Sequence, residues 1–336
     1  MKSDFSPKLI NNPLGDPGMM VEFLCERRSL QFDLGDLSAT SNSDLLKISH
    51  VFISHTHIDH FVGFDHLLRI IFGRGKTVHF FGPENFIANI EGKLAGFTWN
   101  LVDRYSESVQ VEVTEVHSDR LLKARFNAID RFRKSNEREE PFLNGILVDE
   151  GKFTVYTAIL EHRIPCLGFA VKEKNHLNLR KDQLKEMDYP LGPWLKTLKK
   201  CIAEGKPDGY QLQVPAGKNK KQEKTIGQLK EELVTISPGQ KISYIVDTVY
   251  NESNKRNIVD LVKESDIFFC ESPFLAEEET RGLERYHLTS RQAGLLAREA
   301  NVKKLKVFHF SGRHALRTEQ LIQEAQEAFQ GKSNEK

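Results

Sequence analysis

Apolar and polar positions along the chain predict short strands that alternate with helices. Residues 19–34 predict two strands joined by a polar tip at 26–28, and residues 51–53 predict a buried strand. Leu67, Leu68 and Ile71 have helical spacing, whereas residues 109–113 alternate strictly, as is typical of a half-exposed strand. This alternation of strands and helices indicates a layered α/β domain.

The second half of the chain continues the same pattern. We expect strands at 78–81, 153–156, 242–248, 267–272 and 306–310, and helices at 84–95 and 318–329. Another helix should begin with Ser290 as its N-cap and bury Ala293 and Leu296, and the final helix should bury Ile322. Residues 133–140 are almost entirely charged or polar, and they predict a loop.

Charge and cysteine content narrow the possible partners. The chain has 48 basic and 47 acidic side chains, so its net charge favours no particular partner. The four cysteines are widely spaced without a C-x-x-C pair, which predicts small buried fillers in a reducing compartment. No apolar stretch approaches the ~18 residues that span a bilayer, and the first residues lack a secretory signal. We therefore expect a cytoplasmic protein with no membrane partner.

Three imidazoles and a carboxylate are concentrated directly after the predicted strand at 51–53. They are His55, His57, Asp59 and His60. In an extended segment alternate side chains point the same way, so His55 and His57 should face one point. Asp59 and His60 lie beyond the turn and can face a neighbouring point. The arrangement suits two metal ions at the end of a strand, where binding residues are commonly carried.

The motif H-x-H-x-D-H after a buried strand resembles the signature of the metallo-β-lactamase superfamily. The alternative is a polar, histidine-rich loop that holds no metal. The resemblance implies the αββα four-layer sandwich of that superfamily. It would be a single domain spanning residues 1–336, with an arm inserted into it.

His162 begins the run H-R-I-P-C-L-G-F, at 162–169, which resembles the third histidine motif of ribonuclease Z. Ribonuclease Z is the tRNA 3′-end endonuclease of this superfamily. An isolated histidine before a strand is otherwise a structural residue. Because zinc sites commonly have three or four donors, a third imidazole would complete one site with His55 and His57.

Later motifs resemble ribonuclease Z in their order along the chain. Asp247 ends a predicted strand and matches the aspartate that bridges the metals of the family, although a strand-capping residue is the alternative. The run H-L-T-S-R-Q-A begins at His287. The run H-F-S-G-R begins at His309 and includes Ser311 and Arg313.

The resemblance implies a two-metal centre with a defined ligand set. The ligands would be His55, His57 and His162 for one ion, Asp59, His60 and His309 for the other, and Asp247 between them. Imidazole with carboxylate suits two Zn²⁺ ions, with Mn²⁺ as the alternative.

The resemblance also implies catalytic roles for particular residues. Asp59 would orient the attacking hydroxide and take its proton. His287 would be the general acid for the leaving 3′ oxygen, held as the imidazolium by Glu271. Ser311 and Arg313 would bind the phosphate, the arginine through its forked donors. For His287 the alternative is a structural histidine in a turn.

Residues 172–232 differ in composition from the rest of the chain. They contain 14 Lys or Arg against 9 Asp or Glu, an excess of five basic residues. Gly192 and Pro193 resemble the Gly-Pro motif of the ribonuclease Z arm, which clamps the body of tRNA. The resemblance implies that this insertion binds RNA phosphates, and a solvated loop is the alternative.

Some positions depart from the family pattern. Ile58 occupies the place of the usual glycine, and His314 replaces the usual tyrosine after Arg313. Asp36, in the turn after the second strand, is a candidate to lie near the metals, although turns commonly carry such acids. The departures leave the metal chemistry better supported than the substrate.

The leading hypothesis is a zinc-dependent endoribonuclease that removes the 3′ trailer of precursor tRNA. The resemblance implies that such an enzyme is a homodimer. One alternative is a hydrolase of the same fold that acts on a small or cyclic-nucleotide phosphodiester. Another is a non-catalytic RNA-binding relative that kept the fold.

Overall fold

The computed structural model describes residues 3–105, 107–216 and 220–332. These residues form two compact units. One comprises the chain up to Glu173 and from Gln240 onward, and the other comprises Lys174–Gly239. Residues 217–219 of the expected arm lie outside the described residues.

The strands, in chain order, are β1 (Phe5–Leu9), β2 (Met19–Phe23), β3 (Ser29–Phe32), β4 (Ile48–Phe52), β5 (Thr77–Gly82), β6 (Gln110–Val116), β7 (Arg120–Asn127), β8 (Lys134–Pro141), β9 (Ile146–Asp149), β10 (Phe153–His162), β11 (Ile164–Glu173), β12 (His176–Leu179), β13 (Gln211–Ala216), β14 (Lys220–Thr225), β15 (Val234–Ser237), β16 (Lys241–Ile245), β17 (Ile267–Glu271) and β18 (Leu305–Phe308). The helices are α1 (Asn42–Leu45), α2 (Ile58–Phe61), α3 (Phe64–Ile71), α4 (Phe86–Ala95), α5 (Lys181–Glu186), α6 (Pro193–Ala203), α7 (Ile226–Leu233), α8 (Glu252–Val262), α9 (Glu279–Arg285), α10 (Ser290–Glu299) and α11 (Thr318–Gln330).

The larger unit is built on two mixed sheets. The first has the order β1-β2-β3-β4-β5-β6-β7-β8, with parallel pairing from β3 to β6. The second has the order β18-β17-β16-β11-β10-β9, with β16, β17 and β18 parallel. In the second sheet β10 runs in the same direction as β16, because both are antiparallel to β11. The carboxyl ends of β10, β16, β17 and β18 therefore lie along one edge.

Three apolar clusters hold four layers together. Aromatic rings fill the space between the sheets, as where Phe32 and Phe52 of one sheet lie 5.7 Å from Phe169 of the other. A second cluster packs α3 and α4 on the outer face of the first sheet, and a third packs α8, α10 and α11 on the second. The layers follow the order α, β, β, α, as the resemblance to the superfamily implied.

The second unit, Lys174–Gly239, has a hydrophobic core of its own. Tyr189, Trp194 and Leu198 pack there with Leu229 and Leu233 of α7. It also contains two small antiparallel sheets, β12 with β15 and β13 with β14. An insertion with this much buried apolar surface is a folded module and differs from a solvated loop.

Several local expectations were wrong. The charged residues 133–140 were expected to form a loop but belong largely to β8, which pairs with β7 at the edge of the first sheet. Charged side chains are well suited to an edge strand because they discourage pairing with another chain. The predicted N-cap Ser290 is wrong, since Thr289 caps α10. Cys25 and Ile322 are exposed instead of buried.

Among the described residues, no helix has the length and apolar character needed to cross a bilayer.

Candidate metal centre

The strand ends bring the predicted metal ligands together. His55 and His57 follow β4, and His162 is the last residue of β10. Asp247 and His309 each follow a parallel strand of the second sheet, β16 and β18. Ligands that are more than 200 residues apart in sequence therefore meet at adjoining sheet edges, where open α/β sheets commonly bind ligands.

His55, His57, His162 and Asp247 form the first group, in which one possible ligand atom of each residue lies within 4.8 Å of the others. Asp247 Oδ2 is 3.5 Å from His55 Nε2 and 3.4 Å from His162 Nε2. The resemblance to ribonuclease Z implied the same set, with the three imidazoles for one ion and Asp247 as the bridge between the two ions.

Asp59, His60 and His309 form the second group, in which one possible ligand atom of each residue again lies within 4.8 Å of the others. Asp59 Oδ2 is 3.4 Å from His60 Nε2 and 3.6 Å from His309 Nε2. Asp247 Oδ2 is also 3.4 Å from His60 Nε2, so the same carboxylate oxygen lies beside both groups. Its placement suits the bridging role proposed for Asp247.

Asp247 and His309 have left-handed backbone conformations, with φ of 43° and 57°. Residues with a Cβ rarely adopt this region, and such strain is concentrated at functional sites. Each residue lies one or two positions beyond a parallel strand. The sharp change in chain direction brings both side chains to the cluster.

Hydrogen bonds orient at least two of the imidazoles. His162 Nδ1 lies 2.7 Å from the backbone oxygen of Tyr286, and a ring nitrogen beside a carbonyl must donate its hydrogen. His60 Nδ1 lies 2.9 Å from Asp33 Oδ2. Metal-binding histidines typically use one ring nitrogen in this way, which leaves the other with a lone pair for the ion. Here that other nitrogen is Nε2, which lies beside Asp247 in both residues.

Asp33 holds residues of the cluster in place through hydrogen bonds. Its carboxylate accepts hydrogen bonds from the backbone N–H of Ser54 at 2.7 Å, the hydroxyl of Ser54 at 2.9 Å and the hydroxyl of Tyr244 at 3.0 Å. The resemblance made Asp36 a candidate to lie near the metals, with an ordinary acidic residue of a turn as the alternative, and its hydrogen bonds favour that alternative. Asp36 is exposed and accepts from Ser38 in its own turn.

Several buried polar atoms of the cluster have no hydrogen-bond partner among the described residues. They are His55 Nε2 and His60 Nε2, while His309 Nδ1 and Asp247 Oδ1 face each other at 3.0 Å without an aligned hydrogen bond. Leaving such atoms unpaired is costly, and a metal ion is one way to satisfy them. Five imidazoles with two carboxylates also match the ligand preferences of Zn²⁺ and related ions. The residues present therefore fit a pair of divalent cations.

The electrostatics of the cluster agree with this fit. Burial lowers the pKa of His55 to about 2, so its imidazole is neutral and able to act as a ligand. Burial opposes the charge of His60, but the carboxylates of Asp247 and Asp33 raise its pKa to about 10. His60 thus attracts a proton, and a cation would compete with that proton for the same place.

His287 and Glu271 form a pair beside the ligands. His287 Nδ1 is 2.8 Å from Glu271 Oε2 and 3.7 Å from Asp247 Oδ1. Burial disfavours the imidazolium, but Glu271 outweighs it and raises the pKa of His287. Glu271 is fully buried and also accepts the backbone N–H groups of Thr248 and Leu288. The pair has the geometry expected of an acid and the carboxylate that orients it.

The remaining predicted residues lie outside these clusters. Ser311 follows His309 at two residues and Arg313 is exposed in the next turn. Gly192 and Pro193 begin α6 in the second unit, with Pro193 at the first helical position. Residues that the sequence reasoning missed are Asp33 and Tyr286. Tyr286 contributes a backbone oxygen, for which no sequence signal exists.

Comparisons with known proteins agree with the resemblance found in the sequence. No family model matches the chain. The ribonuclease Z of Lactobacillus acidophilus is 30% identical over 306 residues, which cover 89% of this chain and 82% of that protein. The human short-form tRNase Z has a TM-score of 0.52 at 18% identity and covers 94% of both chains. The metallo-β-lactamase fold protein YhfI of Bacillus subtilis has a TM-score of 0.55 at 16% identity, covering 96% of this chain and 92% of that one.

The solved structures define the class, since the chain has the metallo-β-lactamase fold. The identity to a curated relative extends over most of both sequences and is more specific. The chain belongs to the ribonuclease Z family. Membership makes it a hydrolase of the ribonuclease class, and the clusters of imidazoles and carboxylates are consistent with a divalent metal.

Proposed function

We propose that this chain is a two-metal endoribonuclease that removes the 3′ trailer of precursor tRNA. The observation that carries the proposal is the convergence of His162, Asp247 and His309 on the early histidine motif. Membership in the ribonuclease Z family supplies the substrate class. Zinc as the resident ion, a homodimeric assembly and a cytoplasmic location rest on the family resemblance alone.

His55, His57 and His162 would hold one ion, Asp59, His60 and His309 the other, and Asp247 both. When bound, two divalent cations lower the pKa of water and stabilise the attacking and leaving oxygens of a phosphodiester displacement. The protein fixes the positions of the ligands through the strand ends and the hydrogen bonds of Asp33 and Tyr286.

Asp59 would receive a proton from the attacking water. The nearby imidazoles of His309 and His60 outweigh its partial burial and lower its pKa to about 2, so the carboxylate is ionised at neutral pH. Its side chain is 39% exposed, in contrast to the nearly buried Asp247. Of the two aspartates it is therefore the one that solvent and substrate can approach.

His287 would protonate the 3′ oxygen that leaves. Because Nδ1 is directed at Glu271, Nε2 is the ring nitrogen that remains for the substrate. Glu271 makes the imidazolium more stable and also prevents the ring from turning. General acids of this kind contribute typically ~10²–10⁴-fold to a rate.

Substrate binding would use Ser311 and Arg313 for the phosphate and the second unit for the body of tRNA. The guanidinium of Arg313 is exposed, and its forked donors suit a phosphate. In the second unit, Lys196 and Lys200 lie exposed one turn apart on α6. Lysines of this kind add affinity through phosphates without reading sequence.

The proposal is tested by incubating the purified protein with a 3′-extended precursor tRNA and mapping the new ends. We expect one cut at the trailer junction, loss of cleavage with a chelator, and recovery when Zn²⁺ is restored. An Asp247→Ala variant should lose both bound metal and cleavage. Intact precursor after incubation with metal-loaded protein would refute the substrate assignment, and full cleavage by metal-free protein would refute the two-metal chemistry. The mass in solution, measured by light scattering, tests the homodimer.

A further inference from the structure

An open cleft of about 710 Å³ lies on the helical layer of the larger unit, beside α3 and the segment that follows α4. We call it the aromatic cleft. The lining residues that matter here are His66, Arg69, Phe72, Phe97, Trp99 and Tyr105. No residue proposed to bind metal or perform chemistry lines it. Its volume is in the range of sites that accept small ligands.

The walls of the aromatic cleft are held in place by the protein. Trp99 stacks on Phe72 with ring centroids 5.5 Å apart, and its indole N–H donates to the Leu94 backbone oxygen at 2.8 Å. Tyr105 meets Phe72 edge-on at 4.9 Å. A Cβ at Gly73, where φ is +71°, would come within 2.6 Å of the Tyr105 ring, so only glycine leaves room for it. The rings are thus fixed before any ligand arrives.

Part of this aromatic surface faces solvent. Phe97 is 45% exposed and Tyr105 is 49% exposed, while Phe72 and Trp99 are partly buried. Since the indole N–H is already bonded, Trp99 offers a ligand mainly its ring face. Ring faces stack on any flat aromatic partner without selecting its edge.

The charged groups at the aromatic cleft favour an anionic ligand. Arg69 is exposed and forms no ion pair with any residue that the structure describes. His66 lies on the same helix. The carboxylate among the lining residues, Asp65, is already paired with Lys93 at 3.0 Å. Aromatic faces with an unpaired guanidinium are the combination that binds unpaired nucleotides through base and phosphate.

The aromatic cleft is also close to the metal loop along the chain. Asp59 and His60 lie in α2, and α3 begins three residues after α2 ends. The eight residues of α3 span about 12 Å at the usual rise of a helix. A strand of RNA with one phosphate at the metals would have to follow α3 for about this length to reach Arg69, which lies in the last turn of the helix.

We propose that the aromatic cleft binds unpaired nucleotides of the 3′ trailer, a few positions beyond the scissile phosphate. The statement about the trailer rests on the proposed function, whereas binding of single-stranded RNA does not. The enzyme would then contact its substrate at a second place, the 3′ trailer that it removes.

Tryptophan fluorescence provides a direct test of RNA binding. The chain has two tryptophans, Trp99 and Trp194, and Trp194 lies in the core of the second unit. A Trp194→Phe protein therefore reports on Trp99 alone. Titration with a ten-nucleotide oligouridylate should quench this signal saturably. Phe97→Ala or Arg69→Ala in that background should raise the dissociation constant for the oligouridylate by about tenfold. This is the effect expected from losing one stacked base or its phosphate contact.

A second test uses precursor tRNAs with trailers of 1 to 12 nucleotides. For the wild type, KM should fall once the trailer is long enough to enter the aromatic cleft. For Phe97→Ala and Tyr105→Ala the KM should no longer depend on trailer length, with metal content equal to that of the wild type. Leu143→Ala is the matched control, since Leu143 is an exposed apolar residue, 68% accessible, that does not line the cleft.

The outcomes separate the two proposals. If the wild type leaves precursor tRNA uncut but oligouridylate still quenches Trp99, the proposed function fails and RNA binding at the cleft stands. Cleavage with an unchanged dependence on trailer length in the variants, or absence of quenching, overturns the inference. Variants that change the mass in solution but neither readout would make the cleft a contact between copies of the chain, which also overturns it.

Discussion

At the scale of single residues, Asp247 is where the two groups of candidate metal ligands meet. Its Oδ2 lies within 3.5 Å of imidazole nitrogens from β10 and from the loop after β4. The residue is nearly inaccessible to solvent, and imidazoles surround it. A carboxylate in such a place remains charged because its neighbours favour the charge, as the low pKa of Asp247 indicates in spite of burial.

His287 can be tested as a general acid by varying the leaving group. We expect His287→Ala to lower kcat for precursor tRNA by about 10²–10⁴-fold, because an alkoxide leaves poorly without a proton. The same variant should hydrolyse bis(p-nitrophenyl) phosphate nearly as fast as the wild type, since nitrophenolate leaves without help. The measurement is kcat for both substrates at equal metal content.

Glu271→Gln serves as the companion variant, because it keeps the shape of the side chain and removes the charge that holds His287 protonated. Glu271→Gln should also lower kcat for precursor tRNA more than kcat for bis(p-nitrophenyl) phosphate, but by a smaller factor than His287→Ala. An equal loss of both reactions in His287→Ala would contradict the acid role and indicate that the residue supports the metals.

His50 should make the fold sensitive to acid. Its ring stacks on His79 at 4.8 Å, and Arg28 and Glu150 face it. Burial, with the nearby His79 and Arg28, lowers the pKa of His50 to about 3. Between the usual pKa of histidine and pH 3, the unfolded chain binds a proton that the folded chain does not, so stability falls as the pH falls.

The expected size is about 1.4 kcal/mol per pH unit for one such proton. In urea unfolding between pH 6 and pH 4, His50→Gln should therefore show a shallower loss of the free energy of unfolding than the wild type. The comparison of slopes matters here, because the substitution also changes packing at every pH. Parallel slopes for the two proteins would count against a neutral, buried His50.

At the scale of elements, the candidate metal centre is formed by residues at or just beyond the ends of strands. The sequence was sufficient to place His55, His57, Asp59 and His60 together, because they are contiguous and follow a recognisable buried strand. Asp247 and His309 were placed by resemblance, since an acidic or imidazole residue after a strand is common. What the structure adds is the left-handed turn at each of them.

Other parts of the site were beyond the reach of the sequence for physical reasons. Asp33 is bonded to Tyr244, 211 residues later, and no local pattern encodes a contact of that kind. The sequence of β8 has neither alternation nor apolar positions, because nearly every side chain of this edge strand is exposed. Its pairing with β7 includes an ion pair between Lys123 and Glu140 at 2.6 Å, which is again a tertiary feature.

Thr289 links helix capping to the position of His287. Its hydroxyl accepts the Gln292 backbone N–H at 3.3 Å, and the Gln292 side chain accepts the Thr289 N–H at 2.9 Å. Thr289→Ala should cost about 1 kcal/mol in the free energy of unfolding, the usual value of an N-cap. Because His287 is two residues away, kcat for precursor tRNA should fall as well.

Thr289→Ser is the control, since it keeps the capping oxygen and loses only a methyl group. It should retain most of the stability and activity in urea unfolding and in cleavage assays. A Thr289→Ser protein as unstable as Thr289→Ala would show that packing of the methyl group, and not the cap, is what matters.

At the scale of the whole molecule, the chain of the second unit is inserted between two consecutive strands of the larger unit. β11 and β16 are antiparallel neighbours, and Lys172 pairs with Lys241. The Glu173 backbone N–H donates to the Gln240 oxygen at 2.8 Å, so the chain leaves the sheet and re-enters it at adjacent points. All of Lys174–Gly239 can therefore be replaced by an Asn-Gly turn without stretching either strand.

This replacement should separate chemistry from substrate recognition. The larger unit keeps its three apolar clusters, and we expect it to fold, bind metal and hydrolyse bis(p-nitrophenyl) phosphate at close to the wild-type rate. Cleavage of precursor tRNA should be lost. If the second unit contacts phosphates, the salt dependence of kcat/KM should also reveal it, with a slope of roughly −0.7 to −0.9 per phosphate contact in a log–log plot.

A matched variant keeps the second unit but removes charge from one helix. Changing Lys196, Lys199 and Lys200 of α6 to Gln leaves the buried Trp194, Leu195 and Leu198 in place, so the unit should remain folded. We expect a higher KM for precursor tRNA and a flatter salt dependence, with kcat little changed. If the Asn-Gly protein processes precursor tRNA normally, the second unit has no part in binding it, and the positive charge of residues 172–232 must serve another purpose.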